Sequence, residues 1–295
     1  MPRPLVGIGH SLGGNVLASL ALMHPRLLDG GLILVDPVIM GKPRSQVAGI
    51  STDSNPVLSL VRLTASRRDR WPSRNDASQA FQRSKFYRTW DQRVLQLWLK
   101  YGLSSDTDGS VSLTTSKCQE AFTCLLSKFG RLPPAESHGH VHGSHEIHYD
   151  PDIMDEFPFY RPEPSMVFEQ LPHIRPTTLW IFADQSTLSQ PDSCRERVER
   201  TGTGVGGNGG VKHGKVKQKT MKDAGHLVPF ERPQEVAETI GDFLTEALTI
   251  WWKDHNEWTS WWQAKDRESR TKLSNRAKNE LGVTSRPEEG NRGKL

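Results

Sequence analysis

The feature that most constrains this chain is a five-residue pattern near its start, Gly9-His10-Ser11-Leu12-Gly13, set between two kinds of local order. Before it, Leu5 to Ile8 is a short apolar run that reads as a buried strand. After it, Val16, Leu17, Leu20 and Met23 recur at helical spacing until Pro25 stops the helix. A serine between such a strand and helix sits in a tight turn with a strained backbone. Its flanking glycines are small enough for the helix to approach the strand, and its oxygen projects above the strand end. Leu32 to Val35 forms a second buried strand after a Gly-Gly turn, ending at Asp36-Pro37. A strand–helix–strand unit implies parallel pairing and an α/β sheet.

With 295 residues, the chain can bury a sizeable core as one large domain or two modest ones. The net charge of +4 is spread out and leaves no nucleic-acid footprint. Three cysteines, Cys118, Cys124 and Cys194, lack regular spacing, which argues for a reducing compartment and against a disulfide scaffold. No apolar run approaches the ~20 residues of a membrane span. The N-terminus lacks the charged-then-apolar layout of a secretory signal.

From about 39 to 174 the strand signals vanish. Arg67, Arg68, Arg70 and Arg74 lie in a polar, irregular stretch. Phe86, Trp90, Val94, Leu97, Trp98 and Tyr101 recur at helical spacing, and a further helix is expected around Ser116 to Leu126. Leu132 to Pro164, rich in His, Pro and Gly, reads as a loop. The sheet resumes at Thr178-Leu179-Trp180-Ile181-Phe182-Ala183, followed by a helix near Ser193 to Arg200, a glycine-rich loop, and a strand near Val216 to Met221. Pro233 opens a last helix with Val236, Ile240, Phe243, Ala247 and Leu248 on one face. Trp251, His255, Trp258 and Trp262 continue that face; Trp251, Trp258 and Trp262 are expected to pack into the core, with a membrane or partner surface as the alternative. The pattern divides into residues 1–38 and 175–270 as the core, 39–174 as a mostly helical cap insertion, and 271–295 as a charged, mobile tail.

A second motif follows the Val216–Met221 strand: Asp223-Ala224-Gly225-His226-Leu227-Val228-Pro229. With an aspartate after an intervening strand, the chain carries the order serine, acid, histidine. On GHSLGG, LILVDP, LWIFAD and DAGHLVP, in that order, it resembles the α/β-hydrolase family over most of its length. The resemblance implies Ser11 as nucleophile, His226 as general base, and the Leu12 N–H as one donor of the oxyanion hole, with no cofactor and no metal. The acid is open. Many family members place it just beyond the strand that here is LWIFAD, where Ser186 stands and cannot serve. Asp36, after the preceding strand, is the favoured acid, and Asp184 is the alternative.

VDPVI, the long insertion, RTGTGVGGNGGVKHGKV and AGHLVPFE further resemble a fungal subfamily of peroxisomal hydrolases of secondary metabolism. That group includes an acyl-CoA hydrolase of mycophenolic acid biosynthesis and hydrolases of toxin biosynthesis. It implies a small acyl ester or acyl-CoA thioester as substrate and an acid at Asp36. The C-terminal Gly293-Lys294-Leu295 resembles the peroxisomal tripeptide Ser-Lys-Leu, which implies a peroxisomal import receptor as partner, with a cytoplasmic location as the alternative. In the family, roughly a hundred residues precede the elbow and supply the first strands and another oxyanion donor. The expectation is therefore an N-terminally truncated α/β-hydrolase fold lacking its first strands. The competing functional reading is a catalytically impaired remnant or binding protein.

Other signals carry less. Gly202-Thr203-Gly204-Val205-Gly206-Gly207 fits a dinucleotide fingerprint but does not join the first strand and helix of a βαβ unit. Gly209 to Lys215 fits a phosphate loop except that Val216 stands where Ser or Thr is needed. His138, His140, His142, His145 and His148 form a cluster open to zinc or nickel, with a solvated loop as the plainer reading. Arginines between Arg67 and Arg93 could meet the phosphates of a CoA ester or form a solvated face.

Overall fold

The computed structural model describes residues 3–41, 56–124 and 163–283. The histidine cluster His138–His148 and the C-terminal tripeptide Gly293-Lys294-Leu295 lie outside the described residues. The chain forms two compact units, Met1–Ala247 and Leu248–Leu295.

In the first unit, β1 (Val6–His10), α1 (Leu12–Met23) and β2 (Gly31–Val35) follow one another as the apolar pattern dictates. Next come α2 (Pro56–Ser66), β3 (Arg70–Trp71), α3 (Arg74–Arg83), α4 (Gln92–Tyr101), β4 (Leu103–Ser105), β5 (Val111–Leu113) and α5 (Lys117–Cys124). The core returns with α6 (Glu163–Gln170), β6 (Thr178–Ala183), α7 (Pro191–Arg200), β7 (Val216–Met221) and α8 (Val228–Glu231). The long α9 (Pro233–Gln263) crosses from the first unit into the second, where α10 (Arg267–Thr271) and α11 (Asn275–Glu280) follow.

The main sheet has the order β1-β2-β6-β7 with every pair parallel. Parallel strands end on the same side, so His10, Val35, Ala183 and Met221 bring their loops to one rim. β2 and β6 are buried at every position, as strands covered on both faces must be. Alternation divides their side chains. Leu32, Leu34, Trp180 and Phe182 pack with Ala18 of α1 and Val198 of α7. Ile33, Val35, Leu179 and Ile181 pack on the other face with Val236 and Phe243 of α9. β1 is an edge of this four-stranded sheet, and its Ile8 is 53% exposed.

The insertion is mostly helical among its described residues, with a small sheet that the pattern did not announce. It holds a three-stranded antiparallel sheet, ordered β3-β5-β4, around its own apolar cluster of Trp71, Phe81, Leu95, Leu99 and Val111. These strands are two or three residues long and include Arg70, Ser104 and Ser112, so no apolar run announces them. In the stretch expected to be irregular, 67–69 and 72–73 form neither helix nor strand, while Arg70–Trp71 is β3 and Arg74 begins α3. The run from Phe86 to Tyr101 is broken as well. A short 3-10 turn at Tyr87–Thr89 precedes α4, which is capped by the Asp91 side chain accepting from the Arg93 N–H. Leu95 and Leu99 face inward, whereas Leu97 and Tyr101 are exposed.

The tryptophans of α9 correct a further expectation. Val236 and Phe243 are buried, and Ile240, Leu244 and Ala247 pack against the same cluster. In the second unit, however, Trp258 and Trp262 are exposed and stack on each other with centroids 5.8 Å apart, as Trp251 and His255 do at 4.5 Å. Residues four apart on a helix are surface neighbours, so the aromatic stripe satisfies itself. The segment expected to be a mobile tail, 271–295, contains α11, N-capped by the Ser274 side chain, while α10, N-capped by Asp266, precedes it except for Thr271.

Candidate active site

Ser11 is the turn between β1 and α1. Its backbone sits at φ 54°, ψ −124°, a conformation that L residues rarely adopt. The turn is fixed from both sides, because Ser11 N–H donates to the Val35 carbonyl and Val38 N–H donates to the Ser11 carbonyl. Glycine is required at position 9, where an added Cβ would lie 2.5 Å from the Gly13 carbonyl oxygen. On the helix side the close approach falls on Gly14, not Gly13. A Cβ on Gly14 would meet Pro37 at 2.7 Å, whereas one on Gly13 would meet nothing within 4 Å.

The rim of the sheet brings three predicted residues together. Ser11 Oγ–H donates to His226 Nε2 at 2.8 Å, and His226 Nδ1–H donates to Asp36 Oδ2 at 2.7 Å. Asp36 follows β2 and is fully buried. Burial alone would push its carboxyl up; hydrogen bonds from His226, Ser186 and Ser189 outweigh that and hold it below the ordinary 3.8. Ser186 Oγ donates to Asp36 Oδ2 at 2.5 Å and Ser189 Oγ to Oδ1.

Asp184, the alternative acid, is not part of this chain. It is exposed beyond the end of β6, where its carboxylate accepts from the Ala224 N–H at 3.4 Å. It stands directly after the last strand residue, and the loop beyond it brings the Ser186 and Ser189 hydroxyls to Asp36. Leu12 is the first residue of α1, so its N–H is one of the donors that a helix's first turn leaves without an intrahelical acceptor.

The histidine-bearing turn after β7 is held by contacts the sequence did not reveal. Glu231 of α8 reaches back to accept from Gly225 N–H at 2.7 Å. Arg232 donates to the Asp223 carbonyl at 2.9 Å, and Gln185 N–H to the Ala224 carbonyl at 3.0 Å. His10 Nε2–H donates to the His226 carbonyl at 2.7 Å; burial lowers the His10 pKa, which favours its neutral form. Glutamate six residues after a glycine carries no motif, and His10 occupies a variable position of G-x-S-x-G.

The cap touches this region through α8. Asp91 N–H donates to the Phe230 carbonyl at 2.9 Å, and Trp90 lies 4.7 Å from the Phe230 ring. An apolar groove of about 440 Å³ runs between α4, β5 and Phe230, lined by Val94, Leu97, Trp98 and Leu113. Four of the cap arginines have partners inside the cap: Arg67 pairs with Glu120, Arg70 with Asp108, Arg93 with Asp91, and Arg74 caps the carbonyls of Leu99 and Leu103. Among the described residues, no group of three or more His, Cys, Asp or Glu side chains could hold a metal ion, and no helix is long and apolar enough to cross a membrane.

A parallel sheet with a strained serine at its rim, hydrogen-bonded to a histidine and a buried aspartate, defines the α/β-hydrolase class. The chain belongs to the alpha/beta hydrolase family, whose model matches residues 1–239. It is 34% identical over 296 residues to the type I acyl-CoA thioesterase mpaH' of Penicillium brevicompactum, covering 93% of this chain and 65% of that protein. It is 31% identical to the abhydrolase domain-containing protein ACTT2-1 of Alternaria alternata, covering 86% of this chain and 88% of the relative. Among solved structures, the peroxisomal alpha-beta-hydrolase Lpx1 of Saccharomyces cerevisiae shares the fold, with a TM-score of 0.54 at 16% identity over 82% of this chain and 53% of that one. The chain thus spans less than two thirds of the thioesterase's length.

Proposed function

We propose that this protein hydrolyses an ester or an acyl-CoA thioester through an acyl-enzyme on Ser11. The observation that carries the reading is the unbroken hydrogen-bonded series from Ser11 through His226 to Asp36. Because Asp36 accepts the Nδ1–H, His226 presents an unprotonated Nε2 to the serine hydroxyl. Ser11 Oγ attacks the acyl carbon while Nε2 takes its proton. The oxyanion that forms is met by the Leu12 N–H. Collapse breaks the bond to the leaving oxygen or sulfur, which receives the proton from the imidazolium. Water then enters with His226 as base, releasing the free acid and restoring Ser11.

Thioesters are the favoured substrate class because the Penicillium relative is a type I acyl-CoA thioesterase. A role in fungal secondary metabolism follows from the subfamily resemblance. A peroxisomal location is proposed on the tripeptide Gly293-Lys294-Leu295, in keeping with the name of the yeast structural neighbour. The test is to treat the folded chain with a fluorophosphonate probe and to assay thiol release from a panel of acyl-CoAs. Labelling at Ser11 together with thiol release is expected. A folded chain with Ser11 unlabelled and no acyl release would overturn the reading in favour of a non-catalytic binding role.

A further inference from the structure

Two loops meet behind His226. One follows β2 and carries Asp36 to Ile39; the other follows β6 and carries Asp184 to Ser189. The second gives two hydroxyls to the carboxylate of the first, Ser186 to one oxygen and Ser189 to the other. Both serines are buried, 3% and 7% exposed, so water does not stand in for them. Ser186 Oγ is itself oriented by accepting the Leu188 N–H at 3.2 Å.

Arg197 of α7 ties the loops together. Its guanidinium donates to the Leu188 carbonyl, between the two serines, at 2.6 Å, and to the Ile39 carbonyl in the acid loop at 3.3 Å. The side chain is 1% exposed and lies over the rings of Trp180 and Phe182. Among the described residues no carboxylate hydrogen-bonds to it. A buried guanidinium needs its donors satisfied, and the Ser193 carbonyl at 3.1 Å also accepts from it, beside those of Leu188 and Ile39.

We propose that Ser186, Ser189 and Arg197 form a cradle that positions the Asp36 carboxylate and keeps it ionised. The hydroxyls fix both oxygens, and the guanidinium locks together the two loops that carry them. All three are positioning residues, since none touches Ser11. The kinetic consequence rests on the hydrolase reading; the titration consequence rests on the geometry alone. The titratable and charged groups around Asp36 are His226 from the turn after β7, His10 from β1, and Cys194 and Arg197 from α7.

The experiment follows the Asp36 side-chain carboxyl by carbon-13 NMR titration in the full chain and in S186A, S189A, the S186A/S189A double variant, R197M and R197K. Removing donors that favour the carboxylate raises its titration midpoint. The double variant is expected to move up by about one unit and each single by about half of that. R197M moves it in the same direction, and R197K restores most of the change. In the same set, kcat for an acyl-CoA falls about 10- to 100-fold in the double variant, with KM within about twofold and the acid limb of the pH profile displaced upward. A carboxyl midpoint unmoved in folded single variants overturns the cradle, as does a loss of kcat with an undisplaced pH profile. If the parent chain fails to label with fluorophosphonate while the midpoint still moves, the hydrolase reading falls and the cradle stands. If the parent labels and hydrolyses while the midpoint stays fixed, the reverse holds.

Discussion

The main sheet and the cap solve the same problem with different means. β2 and β6 are buried along their whole length, between two layers of helices. The cap instead wraps strands of two and three residues around a few large aromatics, Trp71, Phe81 and partly buried Tyr87 and Trp98. In the first, geometry is set by continuous backbone pairing and permits an oxygen to be placed within tenths of an ångström. In the second, it is set by ring contacts such as Trp71–Phe81 at 5.1 Å, which tolerate rearrangement. Every member of the proposed catalytic set is on the sheet rim and none is on the cap.

That contrast can be broken first at the rim. Ser11→Ala should abolish fluorophosphonate labelling and lower turnover by at least about 10⁴-fold, with thermal stability little changed, because alanine keeps the Cβ and the same φ of 54°. Asp36→Asn should lower kcat by about 10³- to 10⁴-fold, read with a chromogenic ester. The same variant reports on acid stability. Since the folded-state value of Asp36 lies below the ordinary 3.8, its stabilising contribution is present above that pH and is lost as pH falls through the lowered value. Urea midpoints compared between pH 6 and pH 3 should therefore decline less steeply in Asp36→Asn than in the parent.

Packing changes sharpen the comparison at a lower level. Trp180→Ala in β6 should cost about 3–5 kcal/mol and take Ser11 labelling with it, because the side chain is fully buried beneath the rim. Trp71→Ala in the cap should cost about 3 kcal/mol by the same measure, yet leave Ser11 reactive toward the small probe. Equal loss of labelling in both would mean that cap and rim unfold as one. The smallest effect is expected at Asp184→Asn, which should change kcat by less than about threefold, since its one contact to Ala224 is long.

The core was legible because buried parallel strands are written as unbroken apolar runs, and LILV and LWIFA contain little else. Ser11 and His226 were legible because each sits in a strand-to-helix motif, G-x-S-x-G and Gly225-His226, in the order serine, acid, histidine. The cap sheet was not. Arg70 and Ser112 pair in β3 and β5 without apolar alternation, held by neighbours distant in sequence. The acid-holding side of the site was hidden for a related reason. Ser186, Ser189 and Arg197 are ordinary polar residues in the sequence, and they acquire roles only because the loop after β6 folds over the loop after β2. The tryptophan stripe of α9 shows the opposite failure, in which helical periodicity was real but did not lead into a core.

Asp36 adopts φ 38°, in the left-handed region. Aspartate and asparagine enter that region more readily than other side-chain-bearing residues. Position 36 is therefore selected twice, once for a carboxylate and once for a backbone that longer acids resist. Glutamate would keep the charge but add strain of about 1–3 kcal/mol and one methylene in a space with no exposure. The mutational paths open to this residue are narrow: asparagine keeps the turn without the charge, and every other neutral replacement but glycine disturbs both.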